Sequence, residues 1–323
     1  MAVSPIYGGG VSGADYEPTT ITELGGMIGK IAYSVIRENT ANDALAVFDR
    51  MPVNKGDTIE EAVVQMAESL AYDEDGEDAL KREDSVKFAV KYFKNWTRKK
   101  FKKTVDVPQL RKVLEKDIDV ADVTSKIVSS MTEGDKHEKY LNVRDLLAWG
   151  RQSADGGTGA VLVRAETVNY DTTNNAIDYK GLLVAMRDAF SGMKFVNTSF
   201  NSISLKRRTR EEDIYVLIPY TLKNRIDIND LASAFNLDKT DIKGRIIEID
   251  SASVGGYDYV YIVDKHAILD FTRLYEMMDE KNADGLFWNY YLHTDRLYAL
   301  SPLFDACYIK VQTSAPTQAQ VGN

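Results

Sequence analysis

The sequence has one cysteine, Cys307, and only three histidines, His137, His266 and His293, among its 323 residues. A single cysteine cannot form a disulfide within the chain, and it cannot build a thiolate metal cluster. The histidines lie far apart in sequence, and none has a second histidine at the spacing of a metal site. We therefore expect neither a bound metal nor another cofactor.

Long apolar runs are also missing. No stretch approaches the roughly 18 consecutive apolar residues of a membrane-spanning helix, and residues 1–13 lack the Lys or Arg that begins a secretory signal. The composition is 44% hydrophobic and 28% charged, which is typical of a globular protein. At roughly 150 residues per domain, the length corresponds to about two domains. We expect a folded protein with no membrane partner.

Sequence signatures of catalysis are weak. Gly8, Gly10 and Gly13 match the dinucleotide-binding string, but too few residues precede them to form the strand that this motif requires. No G-x-S-x-G string marks a nucleophile. His293 and Asp295 would share one face of a strand. An uncharacterised enzyme near His293 therefore stays open as an alternative.

The net charge of −9 conceals two blocks of opposite sign. Residues 57–78 hold nine acidic and no basic side chains, whereas residues 81–116 hold thirteen basic and four acidic ones. The basic block therefore carries +9 and the rest of the chain −18. The blocks are either solvated faces or complementary surfaces, in which the acidic segment of one copy meets the basic segment of another.

Single-stranded nucleic-acid binding is a further alternative for the basic block. The segment from Trp96 to Lys103 combines five cations with Trp96 and Phe101, and aromatic side chains beside cations can stack on unpaired bases. The neighbouring acidic block would repel phosphate, which favours a protein partner.

Apolar spacing predicts most of the secondary structure. Residues 119–150 have the spacing of a long helix, with Gly134 as a candidate break, and 177–190 have that of a second helix. We also expect helices at 28–35, 227–235 and 271–278, and either a helix or a strand at 58–71. Strands are expected at 86–92, 101–107, 213–220, 245–249, 259–263 and 287–300. We expect 86–92 and 101–107 to pair as a long hairpin, and 245–249 to pair with 259–263.

Three stretches of the sequence resemble a known family. Residues 228–236 (INDLASAFN), 285–291 (GLFWNYY) and 56–61 (GDTIEE) are similar to segments of the major head proteins of short-tailed phages of the phi-29 kind. The resemblance runs from about residue 56 to residue 309. It is strongest in the last hundred residues.

The resemblance implies a structural protein, not an enzyme, with an α+β fold of the Hong Kong 97 capsid type. That fold would place an N-terminal arm at 1–55, an extended β-hairpin loop at 56–118, a peripheral domain with a spine helix at 119–175 and 283–323, and an axial domain at 176–282. Some relatives carry an added immunoglobulin-like domain, which we expect to be absent here.

The resemblance also implies partners. The chain would self-assemble through hexamers and pentamers into an icosahedral or prolate head shell, with scaffolding and portal proteins and with packaged double-stranded DNA bound without sequence specificity. Its location would be the virion, after assembly in the cytoplasm of the bacterial host. The candidate contacts between copies are the charged residues Glu60, Glu61, Glu68, Arg98, Lys99, Lys100, Lys102 and Lys103.

Overall fold

A computed structural model describes residues 43, 45–54, 58–67, 69, 88–106, 117–152, 161–162, 164–174, 176–226, 245–250 and 256–315. The chain divides into two compact units. Unit 1 comprises Met1–Asp43, Thr97–Tyr140 and Arg273–Asp295, and unit 2 comprises Ala44–Trp96, Leu141–Thr272 and Arg296–Asn323. The helices expected at 28–35 and 227–235 lie outside the described residues.

The described residues contain three α-helices: α1 (Asp117–Gln152), α2 (Tyr179–Lys194) and α3 (Tyr220–Lys223). The long helix expected at 119–150 is confirmed, and Gly134 does not break it. A Cβ atom at Gly134 would lie 3.4 Å from Cδ1 of Phe101. The Phe101 ring therefore packs against this turn of α1 at an ordinary van der Waals distance.

Twelve strands are present in the described residues: β1 (Ile59–Val64), β2 (Phe88–Phe93), β3 (Trp96–Asp106), β4 (Arg164–Val168), β5 (Tyr170–Asp171), β6 (Ala176–Ile177), β7 (Ile214–Pro219), β8 (Ile246–Ile249), β9 (Tyr257–Asp264), β10 (Ile268–Lys281), β11 (Phe287–Leu300) and β12 (Ala306–Gln312). They form a five-stranded sheet in the order β4-β12-β9-β7-β8, a three-stranded sheet in the order β10-β11-β3, and the two-stranded pairs β1-β2 and β5-β6.

The main apolar core of unit 2 lies between the five-stranded sheet and α2. Helix α2 contributes buried residues at helical spacing, among them Leu182, Met186 and Phe190. The sheet contributes Ile262 and its neighbours on the same face. The Asp178 carboxylate caps the helix by accepting a hydrogen bond of 2.9 Å from the backbone N–H of Gly181, so the start of α2 is fixed by a typical N-cap.

The pairing expected between 245–249 and 259–263 is wrong. Strand β8 pairs in parallel with β7, and β9 pairs antiparallel with β7 and β12. The reason is the apolar run of β7, whose residues from Val216 to Pro219 are all buried. The backbone N–H and C=O groups of such a buried strand need hydrogen-bond partners along both edges, so β7 lies between the two strands that were expected to pair.

The helix expected at 271–278 is also wrong, because these residues belong to strand β10. Spacing distinguishes a helix from a strand only where one face is buried. Here the side chains from Tyr275 to Lys281 are all exposed. A turn joins β10 to β11, and the Asn282 side-chain oxygen accepts hydrogen bonds from the backbone N–H groups of Asp284 and Gly285 at 3.0 and 2.9 Å.

Strands β1 and β2 form a two-stranded ribbon, so the hairpin expected between 86–92 and 101–107 is wrong in its partner. The register places Ile59 opposite Phe93, Glu61 opposite Lys91 and Val64 opposite Phe88. The Glu61–Lys91 position puts opposite charges on adjacent strands, which is favourable. The lysine- and arginine-rich β3 instead pairs with β11, whose Asp295 supplies an opposite charge.

Candidate functional site

The five candidate cations lie on the basic strand β3, in unit 1. The side chains on one face of β3 contact side chains of β11. Arg98 Nη2 lies 3.4 Å from the carboxylate of Asp295, and the Thr104 hydroxyl donates a 2.7 Å hydrogen bond to the Asn289 side-chain oxygen. The Nζ atoms of Lys100 and Lys102 lie 5.8 and 5.4 Å from the ring centroid of Tyr291. Residues 98, 100, 102 and 104 alternate along β3 and therefore share one face. Their side chains form a row that contacts β11.

Asp295 is the buried acceptor at the end of this row. Its Oδ2 atom accepts hydrogen bonds from Arg273 Nη2 at 2.7 Å and Nε at 3.2 Å, in addition to its contact with Arg98. The Asp295 side chain is buried, that of Arg273 is mostly buried and that of Arg98 is exposed. One buried carboxylate is therefore surrounded by two guanidinium groups, which is how a buried charge is tolerated.

The second face of β3 contacts helix α1. Lys99 Nζ lies 3.0 Å from Glu138 Oε1, Phe101 lies against Gly134, and Val105 is buried. Two of the five candidate cations, Arg98 and Lys99, thus have carboxylate partners in their own chain. All five, including Lys100, Lys102 and Lys103, remain exposed to solvent.

Two of the acidic candidates, Glu60 and Glu61, lie on opposite faces of the ribbon. Glu60 is exposed, whereas Glu61 is half-buried. Burial raises the pKa of the Glu61 carboxyl, while a hydrogen bond to Ser301 and the charge of Arg50 oppose that shift. Glu68 lies outside the described residues.

The alternative site near His293 and Asp295 is built from contacts within unit 1. The His293 ring stacks on Tyr291 with centroids 6.2 Å apart, and the Asp295 carboxylate accepts from two arginines. A cleft in unit 2 has a volume of about 480 Å³ and is lined in part by Tyr170, Arg225 and Asp258. The histidine and the described cleft therefore involve different residues.

The stacking groups of the nucleic-acid alternative are used within the chain. Trp96 packs against the cluster of Ile59, Phe93, Leu269 and Leu297, and Phe101 lies against α1. Strand β3 keeps its cations exposed, but its aromatic side chains contribute to packing.

Buried charges on α1 are the feature that apolar spacing missed. Asp135 and Lys139 are buried, four residues apart on the same face as Met131. Lys139 Nζ lies 2.8 Å from Asp43 Oδ2. The signal was present as a four-residue spacing of buried positions, but charged residues are counted as exposed in such patterns.

Two further features are absent from the described residues. No described helix has the length and apolar content needed to cross a membrane. No group of three or more His, Cys, Asp or Glu side chains is arranged to hold a metal ion in this part of the chain.

Comparison with known proteins gives a consistent result. The major capsid protein of Bacillus phage GA-1 is 24% identical over 283 residues, which is 87% of this chain and 58% of that protein. The major capsid protein of Bacillus phage PZA is 22% identical over 91% of this chain and 65% of its own length. The chain thus spans less than two thirds of the length of either relative.

Structural comparison shows the fold. A chain from the capsid structure of Staphylococcus phage Andhra matches with a TM-score of 0.70 at 12% identity, over 95% of this chain and 90% of that chain. The expected α+β capsid fold of the Hong Kong 97 type is thereby confirmed.

The family comparison covers nearly the whole chain. The model of the family described as "Phi29-like phage major capsid protein" matches residues 16–310. The resemblance found in the sequence is therefore confirmed, and the chain belongs to the family of Phi29-like phage major capsid proteins.

Proposed function

We propose that copies of this chain assemble into the head shell of a phage and enclose its double-stranded DNA. The observation that carries this proposal is the exposed apolar face of the β1–β2 ribbon. The register aligns Val64 with Phe88, Ala62 with Val90 and Glu60 with Tyr92, and directly opposed residues share a face. Phe88, Val64 and Tyr92 are 69%, 62% and 55% exposed.

The opposite face of the ribbon is already buried, which leaves the exposed apolar face available to a partner. Ile59 and Phe93 are buried with Leu269 and Leu297, so one side of the ribbon is anchored within unit 2. A two-stranded ribbon is only marginally stable in water, and contiguous exposed apolar surface commonly marks an interaction site. Covering this face with a second copy would remove that surface from water.

Several finer features belong to the same proposal. The copies would form hexamers and pentamers, with scaffolding and portal proteins as further partners and with DNA held without sequence readout. The charged candidates from Glu60 to Lys103 would contact neighbouring copies, and the domain boundaries would be those that the resemblance implies. The protein would act without catalysis, and it would reach the virion after assembly in the bacterial cytoplasm. Membership of a family of major capsid proteins supports the assembly of copies into a shell.

Electron microscopy and sedimentation of the purified chain test the proposal. We expect closed shells or large rings from the wild type, and a small soluble species from F88S/Y92S that keeps its circular dichroism spectrum. Met51 is exposed and lies outside the ribbon, so M51S is the matched control and should assemble. A wild-type chain that stays small under all assembly conditions would contradict the proposal.

A further inference from the structure

One face of the sheet formed by β10, β11 and β3 combines cations with aromatic rings, and we call it the cation face. Strand β3 contributes Arg98, Lys100 and Lys102, which alternate along the strand and are exposed. Strand β11 contributes Tyr291 and His293, which also alternate and are half-buried. All five residues belong to unit 1, so the cation face lies within one compact unit.

Two rows of side chains run side by side along the cation face. The Nζ atoms of Lys100 and Lys102 lie 5.8 and 5.4 Å from the centroid of the Tyr291 ring. The His293 ring stacks on Tyr291, with 6.2 Å between the centroids and 22° between the ring planes. Alternate residues of a strand are about 7 Å apart along its axis. The row of cations and the row of rings therefore repeat at the same interval.

The acidic side chains of this sheet are balanced or lie on its far strand. Asp295, at the end of the two rows, accepts hydrogen bonds from Arg98 and Arg273, so its charge is compensated locally. Strand β11 separates β3 from β10. The exposed acidic side chains of β10 are Glu276, Asp279 and Glu280. Lys100 and Lys102 therefore present positive charge beside the aromatic row.

This combination of side chains matches the chemistry of an unpaired nucleic-acid strand. Each nucleotide supplies one phosphate and one base, so a row of cations beside a row of rings fits successive nucleotides. Cations that follow the backbone and aromatic rings that stack on the bases are what sequence-tolerant single-strand binding requires. A three-stranded sheet is a rigid platform for such rings. A duplex hides the faces of its bases within its own stack, so it would use the cations alone.

The rings of the cation face differ from those that the sequence suggested. Trp96 and Phe101 flank the cations along the chain, but both pack against other parts of the protein. Tyr291 and His293 take their place, because the pairing of β11 with β3 brings these rings beside the cations. The combination of charge and aromatic surface is therefore present, but it is assembled from two strands.

We propose that the cation face binds single-stranded nucleic acid, with Lys100 and Lys102 on successive phosphates and with Tyr291 and His293 stacked on bases. The face lies within one chain, so this inference does not depend on the proposed assembly. It is also distinct from contact with packaged duplex DNA. A neighbouring copy is the competing occupant, since an acidic protein surface would contact the same cations. Such a surface would leave the exposed parts of the two rings unexplained.

Fluorescence anisotropy tests the row of cations. The full chain, at a concentration where sedimentation shows it unassembled, is titrated into a labelled oligothymidylate of twelve nucleotides. We expect K100M/K102M to weaken binding by at least about tenfold and to lower the slope of log K against log salt by about 1.4, since each phosphate contact on a single strand contributes about 0.7. The control K180M/R187M removes two exposed cations of α2 and should change neither value.

The row of rings is tested by Y291L. We expect this variant to bind the same oligonucleotide about tenfold more weakly with an unchanged salt slope, because base stacking involves no phosphate. The control Y220L removes a ring that is 48% exposed in unit 2 and should bind normally. Circular dichroism checks the fold of each variant. Photo-crosslinking of the wild type to a 5-iodouridine oligonucleotide, followed by peptide mapping, should give adducts at Tyr291 or His293 without any substitution.

The identity of the bound strand separates the outcomes. Binding of oligothymidylate or of oligouridylate supports the inference, and the tighter of the two identifies the strand as DNA or RNA. Equal affinity for a twelve-base-pair duplex, with no effect of Y291L, would overturn it in favour of phosphate contact alone. If no oligonucleotide binds but K100M/K102M fails to assemble, the face belongs to a neighbouring copy and the inference is wrong. If no oligonucleotide binds and assembly is normal, the inference is wrong while the proposed assembly stands.

Discussion

Unit 1 and unit 2 differ in how many apolar side chains their described residues bury. One core cluster among the described residues of unit 2 contains seventeen buried apolar side chains, from Val168 to Val311. Among the described residues of unit 1, only Val105, Met131 and Leu292 are buried apolar side chains. Five buried polar or charged side chains accompany them: Asp135, Lys139, Asn289, Thr294 and Asp295.

This difference predicts which substitutions destabilise each unit most. Apolar burial is non-directional and roughly proportional to area, so unit 2 should respond mainly to lost volume. Buried charges need specific partners, so unit 1 should respond mainly to the loss of one member of a pair. Substitutions in each unit test this contrast, and the largest effect is expected in the core of unit 2.

Removing core volume from unit 2 should have the largest effect. Ile262 is fully buried between the sheet and α2, and I262A should lower the free energy of unfolding by about 3–4 kcal/mol through lost burial and a cavity. Urea unfolding measures this change. The control V184A removes an exposed side chain and should cost less than about 0.5 kcal/mol. If I262A and V184A lower the free energy of unfolding equally, loss of buried volume is not what unit 2 is most sensitive to.

Removing the shared carboxylate of unit 1 should come next. D295A leaves the mostly buried Arg273 without its 2.7 Å acceptor, and we expect a loss of about 2–3 kcal/mol. Asp279 is an exposed carboxylate on the same sheet, so D279A is the matched control. If D295A unfolds at the same urea concentration as the control, the buried ion cluster is not what stabilises unit 1.

Glu61 makes a prediction about pH. Burial raises the pKa of its carboxyl above the ordinary value of 4.5, so its contribution to stability is greatest below that value and declines as pH rises through the folded-state pKa. The neutral variant E61Q should therefore gain stability relative to wild type between pH 4 and pH 7. Glu60 is exposed on the same strand, and E60Q should show no such trend. If E61Q instead loses stability relative to wild type as the pH rises from 4 to 7, the charges of the nearby cations outweigh the effect of burial on the Glu61 carboxyl.

The smallest effect is expected at Lys99. Its ion pair with Glu138 joins side chains that are 48% and 30% exposed, so K99M should change the unfolding free energy by less than about 0.5 kcal/mol. Sedimentation of the same variant tests Lys99 as a contact between copies. Loss of assembly without loss of stability would support that role, and unchanged assembly would remove Lys99 from the candidates.

The elements that bury a run of regularly spaced apolar residues could be predicted from the sequence. The long helix α1, helix α2 and strands β7 and β11 lie where apolar spacing placed them. Strand β10 was missed because Tyr275, Met277 and Met278 are exposed, so their spacing reports no core. The candidate cations could be found as a charge block, but their partners Glu138 and Asp295 lie 39 and 197 residues away from Lys99 and Arg98.

The sequence by itself determined the family, the capsid fold and the separation of charge into acidic and basic blocks, because these depend on residue order along the chain. Only the tertiary structure decided that β1 pairs with β2 and that β3 pairs with β11. It alone brought Arg98 and Arg273 to one buried carboxylate, and it alone placed the Tyr291 ring beside Lys100. The physical reason is that pairing and burial depend on residues distant in sequence, whose contacts form only when the whole unit folds.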